Sequence, residues 1–121
     1  MRTALTFLTL FLALICPVIA ATEDAVTLEI KQLLARLEAS GCEFNRNGSW
    51  HSAADAKTHL LRKLDYVQEK TTLTSTEQFI ALAATASSLT GQAYQVRCAG
   101  AEPVASAAWL GKALTELRGQ K

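Results

Sequence analysis

Asp55, His59 and Lys63 recur at intervals of four residues, so on a helix they share one edge. An acid one turn before a histidine can orient and charge the ring, which is how a general base is prepared. With the Ser87-Ser88 hydroxyls nearby and Ser88 as the nucleophile, the Asp55–His59 pair would make a small hydrolase. No nucleophile elbow, glycine-rich oxyanion loop or paired-carboxylate cleft accompanies them. Serine pairs also serve the frayed ends of helices. Cys42, His51, His59 and Cys98 have the ligand chemistry of a zinc site but neither C-x-x-C nor H-x-x-x-H spacing. No catalytic residue, metal or cofactor is therefore assigned. The reading preferred is recognition: Asn47, Trp50, His59, Lys63 and Tyr94 form a polar edge flanked by aromatics, suited to a small molecule or a peptide segment. Trp50 and Trp109 are core anchors before they are ligand platforms, and Asn47-Gly48 is a turn before it is a recognition tip.

These residues need elements to position them. Thr22-Glu23-Asp24 reads as a helix N-cap followed by two acids. Val26, Ile30, Leu33 and Leu37 then make a one-faced stripe that Gly41 ends. In the stretch from Cys42 to His51, Asn45 suits the start of a type I turn and Gly48 the left-handed residue after it. That bulged loop sets Phe44 across from Trp50, on one face with Cys42. A tighter turn on Asn47-Gly48 alone would split the two aromatics, and the first loop is preferred. Ser52 with Asp55 opens a second helix whose stripe is Ala53, Ala56, Leu60, Leu64 and Val67. Thr74 with Glu77 opens a third, carrying Phe79 and Ile80 and running to Gly91. Tyr94, Val96 and Cys98 alternate with Gln95 and Arg97 as a short strand. Trp109, Leu110, Ala113, Leu114 and Leu117 form a last helix, weakened by Gly111.

Residues 1–21 read as a leader rather than as fold. Arg2 precedes an apolar run of about a dozen residues, Pro17 ends it, and Val18-Ile19-Ala20 suits cleavage. A retained anchor is the alternative; lipid attachment at Cys16 is disfavoured by the bulky Ile15 before it. Removing the segment takes Arg2 from 12 basic residues and Cys16 from three cysteines, leaving a neutral chain with Cys42 and Cys98. In an exported protein two cysteines imply one disulfide. It would bring the Tyr94–Cys98 stretch beside the hairpin within about 7 Å. Residues 22–121 are then a single α+β domain of about four helices on a small antiparallel sheet, made of a hairpin plus one strand. A chain half of whose 121 residues are apolar, with a net charge of +1, is neither disordered nor a nucleic-acid binder.

Several stretches together resemble a family of small exported bacterial proteins known as domain of unknown function 5329. They are Ser40-Gly41-Cys42-x-Phe44-x-Arg46-Asn47-Gly48-x-Trp50, Ala56-x-x-His59-Leu60-x-x-Lys63 and Glu77-x-Phe79-Ile80. Ser87-Ser88-x-x-Gly91-x-x-Tyr94-x-Val96-x-Cys98 and Trp109-Leu110 follow in order. The resemblance implies export, a single domain and no established activity, and it carries over no catalytic residue. The expectation is a periplasmic or secreted monomer that spans no membrane once cleaved. It would be a non-enzymatic binding or accessory module for an envelope protein, a peptide or a small molecule.

Overall fold

The computed structural model describes residues 3–4, 10–13 and 24–120; the remainder of the expected leader, with Thr22 and Glu23, lies outside them. α1 (Ala25–Ser40) is capped by Asp24, whose carboxylate accepts from the Thr27 N–H at 2.8 Å. The cap therefore falls two residues later than Thr22. That backbone hydrogen bond holds the Asp24 carboxyl below its usual range. Ile30, Leu33, Leu34 and Leu37 are fully buried, and Gly41 ends the helix at φ 64°, a left-handed conformation that costs a Cβ-bearing residue energy.

β1 (Glu43–Arg46) and β2 (Ser49–His51) pair as Phe44↔His51, Asn45↔Trp50 and Arg46↔Ser49. The connection is thus the two-residue Asn47-Gly48 turn, with φ of 52° and 83°, and the bulged loop is overturned. Two positive φ values match the right-handed twist of the flanking strands. The Asn45 side chain still accepts from the Gly48 N–H at 3.1 Å, bracing the tip. Phe44 and Trp50 consequently stand on opposite faces.

α2 (Ala53–Lys70) starts at Ser52, whose hydroxyl accepts from the Asp55 N–H at 3.1 Å, and it buries the expected five-residue stripe. α3 (Thr76–Ala83) is capped by Ser75 rather than Thr74, with Gln78 rather than Glu77 reaching back to the Thr74 N–H at 2.8 Å. It stops at Ala83, well short of Gly91. Beyond it Ser87 and Tyr94 donate backbone N–H groups to Gln92 and Thr85, both at 2.9 Å, folding 84–93 into a narrow loop. Thr85 and Ser87 bond locally with their side chains, which competes with helix continuation.

β3 (Gln95–Arg97) lies antiparallel to β1, and β4 (Val104–Ala105), unforeseen in the sequence, extends the sheet to the order β2-β1-β3-β4. α4 (Ser106–Gly119) follows and buries Leu110, Ala113 and Leu114. Four helices and a four-stranded antiparallel sheet thus make an α+β domain, with α2 against β1 and α4 against β3 and β4. Phe44, Val96 and Tyr94 from the sheet side meet the α1, α2, α3 and α4 stripes in one core. Cys42 and Cys98 form a disulfide across the end of the β1–β3 ladder, with Cα atoms 4.3 Å apart. Among the described residues no helix is long and apolar enough to cross a membrane.

Candidate functional site

Alternation along β1 puts Phe44 on the inner face, opposite Val96 and His51, and Arg46 two residues on shares that face. Arg46 therefore reaches α2, where its Nη1 lies 2.5 Å from His59 Nδ1. A guanidinium has donors only, so Nδ1 accepts and the imidazole proton resides on Nε2. Nε2 then donates to the Tyr94 hydroxyl at 3.3 Å. One turn further along α2, Lys63 donates to the same hydroxyl at 3.1 Å and to the Ala86 carbonyl at 3.2 Å. Its ammonium also sits 4.9 Å from the Tyr94 ring centroid. Tyr94 itself is 2% exposed, packed by Phe44 at 5.1 Å and by the His59 edge at 6.0 Å.

This arrangement sets the protonation of His59. Burial pushes its pKa down to about 4, and the cations Arg46, Lys63 and Arg62, with His51, push the same way. The ring is neutral near pH 7, in keeping with its role as acceptor from Arg46.

These groups line a cleft of about 540 Å³ between α2, the hairpin tip and the 84–93 loop. Asn47 closes one end, accepting from the Thr90 hydroxyl at 2.8 Å and so tying tip to loop. Asn47, His59, Lys63 and Tyr94 thus line one cleft. Trp50 does not: it stands on the outer face of the sheet, with the Arg97 guanidinium 3.9 Å from its ring centroid. Arg97 in turn pairs with Glu43 at 3.0 Å.

Arg46 and Arg62 are cleft residues that the candidate set Asn47, Trp50, His59, Lys63 and Tyr94 does not include. The parity of β1 carried the signal for Arg46. Once the turn is placed on Asn47-Gly48, Arg46 must face the way Phe44 faces.

The Asp55–His59 edge is differently built from a catalytic pair. Among the described residues no hydrogen bond joins Asp55 to His59, and Arg46 occupies the ring nitrogen that an orienting carboxylate would need. Asp55 lines an adjoining hollow of about 220 Å³ with Arg46, His51 and Arg62. The Ser87 hydroxyl accepts from the Leu89 and Thr90 N–H groups, both at 3.3 Å, and holds a turn. Both sulfurs of the Cys42, His51, His59, Cys98 set are spent in the disulfide.

No curated protein and no solved structure matches the chain. The model of a family of unknown function, DUF5329, matches residues 24–118, so the chain belongs to that family.

Proposed function

We propose that this chain is an exported, non-enzymatic binding or accessory module of the bacterial envelope. Its recognition surface is the cleft between the hairpin tip, α2 and the 84–93 loop. The observation that carries the reading is the convergence of Arg46, His59, Lys63 and Tyr94 on that cleft through one chain of hydrogen bonds. Such a network costs side-chain entropy, and it pre-orders polar groups at the mouth of a cavity. Its histidine has a cation on the nitrogen where general-base catalysis needs a carboxylate, so binding is favoured over hydrolysis.

Export is supported by the pattern of residues 1–21 and by a disulfide in a domain of about a hundred residues. The mature protein acts as a monomer in the periplasm or outside the cell. Protein recovered from the periplasm should weigh less than the full chain by about 21 residues and two hydrogens. An intact leader or free thiols would contradict this.

Placement of a photocrosslinking group tests the binding surface in the native envelope. At Ser88, on the cleft rim, it should capture a specific partner or ligand. At Gln95, on the outer sheet face, it should not. Equal capture at both positions, or capture only at Gln95, overturns the assignment. A screen of esters, peptides and glycosides should stay silent. Turnover abolished by His59→Gln would install the hydrolase reading instead.

A further inference from the structure

The hydrogen-bond inventory of the cleft is one-sided. The Tyr94 hydroxyl accepts from His59 Nε2 and from Lys63 Nζ, which fills its acceptor sites and leaves its own O–H to donate. Lys63 spends two of its three N–H donors on Ala86 and Tyr94 and keeps one. Arg46 spends one contact on His59, and the other N–H groups of its fork remain. The Arg62 side chain makes no hydrogen bond or ion pair among the described residues. Three acceptors at the same place are already engaged: Asn47 Oδ1 by Thr90, Ser87 Oγ by Leu89 and Thr90, His59 Nδ1 by Arg46.

The charge is equally one-sided. Arg46, Arg62 and Lys63 line the cleft, and among the described residues no carboxylate does. Asp55, in the adjoining hollow beside Arg46 and Arg62, forms no ion pair with either among the described residues. Elsewhere acids and bases meet: Arg118 with Glu29 and Glu77, Arg36 with Glu116, Lys57 with Glu38, Arg97 with Glu43. Beside the cations lie Tyr66 and Leu89, 61% and 95% exposed, which form an apolar lip.

We propose that the cleft is an oxyanion site, taking a phosphate or carboxylate group whose attached apolar part lies on Tyr66 and Leu89. This rests on the binding reading above and narrows it to a ligand class. A group that only accepts hydrogen bonds answers a wall whose unspent charged groups, on Arg46, Arg62 and Lys63, only donate them, and charge-assisted bonds are the stronger kind. Arg46 is held in place by His59, so little of its ordering remains to be done on binding. The oxyanion belongs either to a free small molecule or to a lipid headgroup.

Phenyl phosphate is the probe, measured by titration calorimetry on the processed, oxidised protein as recovered from the periplasm. It should bind more tightly than inorganic phosphate, which lacks the apolar part, and benzyl alcohol, which lacks the charge, should not bind. Affinity should fall as salt rises. Lys63→Met and Arg46→Gln should each weaken binding about tenfold. Tyr94→Phe, which keeps the ring packing, should weaken it severalfold. Lys112→Gln, beside Trp109 and outside the cleft, should leave it unchanged.

Binding of phosphatidylglycerol vesicles, but not phosphatidylcholine vesicles, with competition by phenyl phosphate would assign the lipid source. Phenyl phosphate binding without vesicle binding would assign the small molecule. Failure of phenyl phosphate to bind, or binding indifferent to salt and to the cleft variants, overturns the oxyanion site. Capture at Ser88 that survives those variants would then leave the binding module standing without its anion.

Discussion

The two ends of the β1–β3 ladder are built on opposite terms. At one end Cys42 is bonded to Cys98, and next to it Glu43 pairs with Arg97, whose guanidinium lies on Trp50. At the other end Arg46 meets a neutral histidine, and Lys63 meets a phenol and a carbonyl. The strands are the same, only a few residues long, yet one end is closed covalently and electrostatically while the other gathers unmatched positive charge. Stability accounts for the first arrangement. It does not account for the second, because crowded like charges cost free energy that an acid at position 62 or 63 would have relieved. The cleft is where the fold accepts a cost, and that is the ground on which we propose it as the functional end.

The contrast can be broken by measurement. The largest effect should come from the closed end. Replacing Cys42 and Cys98 by serine opens a loop of 56 residues and should cost about 4 kcal/mol in denaturant unfolding. A loss under about 1 kcal/mol would show that the ladder holds without its staple.

The next effect belongs to the open end and depends on pH. His59 has a folded pKa of about 4, below the usual 6.5, so between those values the unfolded chain binds more protons than the native one. Stability should therefore decline as pH falls from about 6.5 to about 4, and His59→Gln should flatten that limb. The facing groups are Arg46 from β1, His51 from β2, and Arg62 and Lys63 from α2. A wild-type slope unchanged in the glutamine variant would free His59 from this role.

A smaller loss, about 1 kcal/mol, should follow Gly48→Ala. Gly48 has φ 83° with open space around the missing Cβ, so backbone strain alone is at issue. Amide exchange should quicken at the hairpin tip before it quickens in α1. Smallest of all, Lys63→Met should change stability by less than about 1 kcal/mol, since lost hydrogen bonds are offset by relief of repulsion from Arg46 and Arg62. If it instead unfolded the protein as the cysteine variants do, Lys63 would belong to the scaffold and the distinction between the two ends would disappear.

Much of this was readable in advance because helical stripes are local. Ala53, Ala56, Leu60, Leu64 and Val67 are three or four residues apart, and no tertiary contact can move them onto different faces. β3 is legible for the same reason, by the alternation of Tyr94, Val96 and Cys98, although only Gln95–Arg97 pair as strand. β4 was not, because two residues after Pro103 carry no period and are a strand only by pairing with Gln95 and Val96. The end of α3 was missed because Ala84 and Ala86 suit a helix. Thr85 and Ser87 decide otherwise by bonding backbone that only the folded loop brings near.

The hairpin shows how far a single ambiguity spreads. Asn45 to Gly48 fits two loops, and a one-residue change of register exchanges the two faces of a strand. The bulged loop puts Trp50 on one face with Phe44 and takes Arg46 into the loop; the Asn47-Gly48 turn sends Trp50 to the outer face and pairs Arg46 with Ser49. By itself, then, the sequence determined the helix faces, the strand at Tyr94 and the single pair of cysteines beyond residue 21, because periodicity and composition are local properties. Only the tertiary structure decided that Arg46, His59, Lys63 and Tyr94 share one cleft. Their meeting depends on strand register and on loop closure across tens of residues, where small free-energy differences between alternatives leave no trace in local spacing.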